Sequence, residues 1–151
     1  MKFIADVHLG KLAKLLRMLG FDVLYDNSLT DKQLVFLSLN EERILLSGNS
    51  AFENNKALQS FIVTSQDAET QLRQIFTHFN LKHDIRPFTR CLVCNGTLHA
   101  VSKDEIAEQL EPNTKQYFNE FWQCNYCKRI YWKGSHYKRM MKLAEDFIKT
   151  Y

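Results

Sequence analysis

All four cysteines of the chain fall in two Cys-x-x-Cys pairs, Cys91/Cys94 and Cys124/Cys127, with 29 residues between them. A Zn²⁺ ion takes four thiolates at tetrahedral corners, and each Cys-x-x-Cys turn supplies two from one tight loop. Two such turns leave no open coordination position, the mark of structural rather than catalytic zinc. Gly96 follows the first turn, where a positive φ is expected. Two disulfides or four buried thiols are the competing readings, and paired spacing at both ends speaks against them. The spacing predicts zinc on Cys91, Cys94, Cys124 and Cys127, within a small ribbon.

At 151 residues, 45% hydrophobic and 25% charged, the chain has room for one ordinary domain and a small appendage. Asp6, His8, Lys11 and Lys14 interrupt any signal-peptide core at the N-terminus. No stretch approaches the roughly 20 apolar residues of a membrane span. A reducing, cytoplasmic setting is the expectation, which again favours zinc over disulfides. The net charge of +3 is unevenly spread. Residues 1–88 carry ten bases and ten acids, whereas Cys124 to Ala144 holds six bases and no acid. Cations interleaved with aromatics suit a polyanionic partner, and a solvated helix face is the plainer alternative.

Ahead of the cysteines, apolar runs alternate with helical spacing. Phe3-Ile4-Ala5, Asp22–Tyr25, Arg43–Ser47 and Ser60–Thr64 read as strands. Leu9–Leu19 has its apolar residues at helical intervals and stops at Gly20. Thr30-Asp31-Lys32-Gln33 is a capping box opening a helix to about Glu42. Ser50-Ala51-Phe52-Glu53 reads as a second capping box, and Asp67–Phe79 as a final helix. The alternation predicts an α/β fold with a parallel sheet covered by helices. Residues 81–90 form a linker, and hairpin arms are expected at Thr97–Val101, Tyr117–Trp122 and Ile130–Trp132. A terminal helix then runs from Gly134-Ser135 to about Lys149. The predicted organisation is an α/β domain over 1–82 and a zinc ribbon with a terminal helix over 83–151.

Ligands of parallel sheets bind beyond the carboxyl ends of the strands. Asp6 follows the first strand, Asp31 starts the second helix, and Asn49 follows the third strand. Clustered carboxylates repel, so such a group normally persists by holding a hard cation such as Mg²⁺ or Mn²⁺. That cation can activate water and stabilise a phosphodiester transition state. Helix capping is the plainer reading for Asp6 and Asp31. Asp67 is better read as a cap than as a ligand, and His8 as a local hydrogen-bonder.

The opening Phe3-Ile4-Ala5-Asp6-x-x-Leu9-Gly10-Lys11-Leu12-Ala13-x-x-Leu16-Arg17-x-Leu19-Gly20-x-Asp22 resembles the Mut-seven C-terminal ribonuclease family. The resemblance continues through Asp31, Arg43–Ser47 and Arg90-Cys91-Leu92-x-Cys94-Asn95. It closes on Phe121-x-x-Cys124-x-x-Cys127-x-x-x-Tyr131-Trp132-x-Gly134-Ser135-His136-Tyr137 and covers essentially the whole chain. It implies a PIN-like three-layer domain, a C-terminal zinc ribbon and a metal-dependent ribonuclease. By the same resemblance Asp6 and Asp31 hold Mg²⁺ or Mn²⁺, and Ser47 supplies a hydroxyl beside them. Where the family usually reads Thr-Arg-Asp, this chain reads Ser47-Gly48-Asn49. The third acidic position, Asn49, is therefore an amide, which weakens metal binding and opens the alternative of a non-catalytic RNA-binding module.

Lys133, His136 and Arg139 are candidate contacts to single-stranded RNA, whose bases stack on aromatic rings and whose phosphates pair with cations. Tyr131 is better read as packing the hairpin. Lys11, Lys14 and Arg17 are candidates to line the groove of Asp6, or else to be plain solvated charges. A protein partner for the ribbon is a third reading.

Overall fold

The computed structural model describes residues 1–150. Strands β1 (Lys2–Ala5), β2 (Asp22–Leu24), β3 (Ile44–Ser47) and β4 (Ser60–Ile62) form a wholly parallel sheet in the order β2-β1-β3-β4. Helices α1 (Gly10–Met18), α2 (Asp31–Asn40) and α3 (Ala68–Phe79) connect or follow them. Because side chains alternate across a strand, the sheet feeds two cores. Phe3, Ala5, Val23, Ile44 and Leu46 pack with Leu12 and Leu16 of α1 and Leu72, Ile75 and Phe76 of α3. Ile4 and Leu45 face the other way, onto Leu34 of α2 and Phe52. The result is the expected three-layer α/β architecture, with short connections.

Local signals account for most boundaries. Thr30 closes a capping box with Gln33, and Asp67 accepts the Thr70 backbone N–H at 2.9 Å to cap α3. The box expected at Ser50–Glu53 does not form. Asn49 takes the cap instead, accepting the Ala51 N–H on Oδ1 at 3.0 Å ahead of a 3-10 turn. Gly20 ends α1 at φ +95°, and a Cβ there would lie 2.0 Å from the Arg86 carbonyl oxygen. The Arg86 N–H donates to the Leu19 carbonyl at 2.8 Å, so the segment after α3 is laced back onto the end of α1.

Beyond it, β5 (Leu98–Val101), β6 (Phe121–Cys124) and β7 (Ile130–Tyr131) make an antiparallel sheet in that order. The arm expected from Tyr117 starts four residues later, because Pro112 opens a short helix, α5 (Pro112–Tyr117). Before it lies α4 (Lys103–Ile106). The terminal helix α6 (Ser135–Thr150) returns to the α/β layer rather than standing alone. Its Ala144 and Phe147 are fully buried in the first core, with the Phe147 ring 5.2 Å from that of Phe76.

The two sheets are joined by hydrogen bonds at the β2 edge. Arg17, expected on a solvated helix face, is 3% exposed. Its Nε donates to the Val23 carbonyl at 2.9 Å, and one terminal nitrogen donates to the Leu92 and Val93 carbonyls at 3.0 and 3.1 Å. That placement corrects its reading as an RNA contact: the guanidinium is consumed in fixing the first cysteine turn. Asn95 completes the joint. Its Oδ1 accepts the Val23 N–H at 3.0 Å, and its Nδ2 donates to Asp22 Oδ1 at 2.8 Å. No described helix is long and apolar enough to cross a membrane.

Candidate functional site

The four cysteine sulfurs lie within 4.8 Å of one another. Cys91 Sγ is 3.6 Å from Cys127 Sγ, and Cys94 Sγ is 3.4 Å from Cys124 Sγ. Those separations are far beyond a disulfide bond and close to the edge of a tetrahedron with zinc–sulfur bonds of about 2.3 Å. The turns are built by local geometry. Asn95 and Lys128, each just after the second cysteine of its pair, take left-handed φ values of +64°. Gly96 is thus needed for space and not for its φ: a Cβ there would lie 2.9 Å from Cys124 Sγ and 3.1 Å from Cys94 Sγ.

Around the sulfurs, donors point inward. The Gly96 and Tyr126 N–H groups reach Cys94 and Cys124 at 3.4 Å, and the Tyr131 hydroxyl lies 3.0 Å from Cys91 Sγ. Burial pushes the Cys91 thiol up, but the Tyr131 hydroxyl and the Cys94 and Val93 N–H groups outweigh it and hold the group at about 7. Burial and the neighbouring thiols push Cys127 up to about 12. Four converging sulfurs therefore do not all ionise unaided, and a soft divalent cation is what relieves their repulsion. The cysteine cluster fits a structural zinc ribbon.

The second site lies at the carboxyl ends of the parallel strands. In the order β2-β1-β3-β4 successive strands are added on opposite sides of β1, so the winding switches between β1 and β3, the position where such sheets open a ligand crevice. Asp6 and Ser47 stand on either side of it. The Ser47 hydroxyl donates to Asp6 Oδ2 at 2.5 Å, the His8 N–H donates to Oδ1 at 2.8 Å, and the Asn49 N–H donates to Ser47 Oγ at 2.9 Å. Asp6 is 6% exposed and Ser47 fully buried, so the carboxylate is held from behind by a hydroxyl that a backbone amide has itself oriented. In front lies an open cleft of about 950 Å³, lined among others by Asp6, His8, Lys11, Asn49, Thr64 and Gln71.

The structure brings Asp6, Asn49 and Lys11 to this cleft, with Ser47 buried behind Asp6. Asp31 sits exposed in the first turn of α2, outside the cleft's lining. Asn49 Oδ1 accepts the Ala51 N–H to cap the following turn, which occupies one of its two lone pairs. Asp67 stays at its helix cap, where hydrogen bonds from Thr70 and the charge of Lys11 hold its carboxyl below the ordinary range. Lys14 is exposed on α1, and Arg139 on α6. Lys133 is exposed, 3.6 Å from Glu120, and lies over the rings of Trp122 and Tyr137 at 5.6 and 5.9 Å. His136 lines a separate pocket between the ribbon and α6. Sequence reasoning missed Gln71, a polar residue on the buried face of α3 whose Nε2 donates to the Ser65 carbonyl and holds the cleft wall.

A family model described as the Mut7-C RNAse domain matches residues 1–144. The chain belongs to the Mut7-C RNAse domain family. Membership points to a ribonuclease-type function with RNA as substrate. No curated protein and no solved structure gave a match.

Proposed function

We propose that this protein is a metal-dependent ribonuclease whose reaction centre is the cleft in front of Asp6. The observation that supports it best is the buried Asp6 carboxylate, braced by Ser47 at the crevice between β1 and β3, in a chain of a ribonuclease family. Mg²⁺ and Mn²⁺ are bound through oxygen, and Mg²⁺ commonly rests on one or two carboxylates plus the substrate's own phosphates. One carboxylate facing an open cleft fits that mode. When bound, the cation activates water and offsets charge developing on the phosphodiester. Asp6 is the residue to hold it, Ser47 keeps the carboxylate turned to the cleft, and Lys11 is placed to pair with a phosphate. Asp31, on the helix outside the cleft lining, is at most an outer contributor. The zinc ribbon supplies part of the RNA grip through Lys133, His136 and Arg139.

Incubation of the purified chain with end-labelled single-stranded RNA and Mn²⁺ tests this reading. Cleavage is expected to fall at least a hundredfold in Asp6→Ala; cleavage that survives the substitution comes from elsewhere and sinks it.

A second reading, a non-catalytic RNA-binding module, is favoured by Asn49, whose amide carries no charge and already caps the next turn. Asn49→Asp separates the two. An inert chain that gains cleavage only with the aspartate is a binding module by nature, and a wild type that already cleaves is not.

A further inference from the structure

We infer that the pocket between the zinc ribbon and α6 is a nucleobase subsite, holding one unstacked base of single-stranded RNA. This rests on the reading of the chain as RNA-acting, and adds a site remote from the cleft of Asp6. The pocket has a volume of about 310 Å³ and is walled chiefly by Phe88, Leu92, Tyr131, Trp132, His136 and Tyr137. That is the small end of the range for ligand pockets, room for a base and its sugar but not for a large cofactor.

Three observations favour a base over a plain packing void. The first is the aromatic lining: Phe88, Tyr131, Trp132 and Tyr137 all border the pocket, and Phe88 is fixed there by packing 4.4 Å from Tyr137 and 4.2 Å from Trp122, which lies outside the lining. The second is backbone strain. Phe88 sits at φ +58°, a conformation unfavourable for a bulky side chain and typical of positions held for a function. The third is charge. The segment from Cys124 to Ala144, which supplies seven of the twelve residues lining the pocket, has six exposed bases and no acid, and one of these, Lys133, is paired with Glu120 at 3.6 Å. Stacking on rings with phosphates on Lys and Arg is how single strands are held without regard to sequence.

Helix α1 relates this pocket to the cleft. Lys11 lines the cleft, Met18 lines the pocket, and Lys14 lies between them, at helical positions i, i+3 and i+7 on one face. Their separation along the axis is about 10 Å. A strand anchored by a base at Phe88 and Tyr137 thus has a basic track towards Asp6.

The test is a titration of a short end-labelled oligouridine into the full chain at low salt, followed by label anisotropy and tryptophan fluorescence together. Both tryptophans report here, since Trp132 lines the pocket and Trp122 stacks on Phe88. Quenching should saturate with the anisotropy, Tyr137→Leu should weaken binding about tenfold, and an abasic strand of equal length should bind comparably weakly. His136→Ala, at an exposed position, should weaken binding about threefold and guards against a folding defect in the first variant. An anisotropy rise with no quenching, and unchanged binding by both variants, overturns the subsite while leaving the RNA reading intact. No anisotropy change at all overturns both.

Discussion

The backbone N–H of Val23 donates to the side-chain oxygen of Asn95 at 3.0 Å, across a sequence separation of 72 residues. β2 is an edge strand, and an edge presents unpaired backbone groups that must be covered. Here the cover is the first cysteine turn itself: Asn95 takes the Val23 N–H while Arg17 takes the Val23 carbonyl. The cysteine ribbon therefore finishes the parallel sheet. Asn95→Ala removes two hydrogen bonds and puts alanine at a left-handed φ, and should lower stability by about 2 kcal/mol. Urea unfolding of the zinc-loaded chain measures it, and an unchanged midpoint would contradict the joint.

Arg17→Met should cost about 3 kcal/mol, because the buried Val23 carbonyl and the Leu92 and Val93 carbonyls lose a charge-assisted donor. Zinc content should stay at one ion per chain, since no ligand is touched. Metal analysis alongside thermal unfolding separates the two effects.

Gly20→Ala should destabilise by about 3 kcal/mol, combining a positive φ with a Cβ thrust into the Arg86 carbonyl. The shift is read from the thermal midpoint.

Asp22 gives the chain an acid-sensitive clasp. Burial pushes its carboxyl up, but hydrogen bonds from Arg43 at 2.7 Å and Asn95, with the charge of Arg90, outweigh burial and hold it below the ordinary value. A depressed carboxylate contributes stability that is fully present above its unfolded value, about 3.9, and is lost as pH falls through the folded value. Asp22→Asn should therefore reduce stability at neutral pH by about 2 kcal/mol and leave a flatter decline below about pH 4. Unfolding curves across that pH range check both parts.

Zinc removal should unfold the ribbon, whose three short strands have little core of their own. Because Asn95 and Arg17 tie the ribbon to β2, the α/β layer should lose stability as well. Circular dichroism melts with and without chelator would show one lowered transition; an unaltered α/β transition would contradict the coupling.

The parts legible in sequence were those governed by local pattern. Apolar runs such as Arg43–Ser47 located β3, and cysteine spacing located the metal cluster, because both signals lie within a few residues. The role of Arg17 was not legible. At helical spacing it reads as one more cation of a polar face, and only the arrival of Leu92 and Val93 buries it. Asn49 was foreseen as the odd residue of the cleft, but its capping of the next turn depends on a backbone angle that composition does not reveal. Asp31 opens α2 after the loop that follows the edge strand β2, and the cleft lining does not include it. At Gly96 the sequence suggests a positive φ, but the left-handed position belongs to Asn95, because the glycine is needed for the space beside the Cys94 and Cys124 sulfurs.

The most direct measurement is anomalous diffraction from crystals of the full chain soaked in Mn²⁺, recorded with a non-cleavable RNA analogue present. A Mn²⁺ peak about 2.1 Å from an Asp6 carboxylate oxygen, absent in Asp6→Ala, is the predicted result. An RNA-loaded cleft with no metal at Asp6, in a chain that still cleaves, would contradict it.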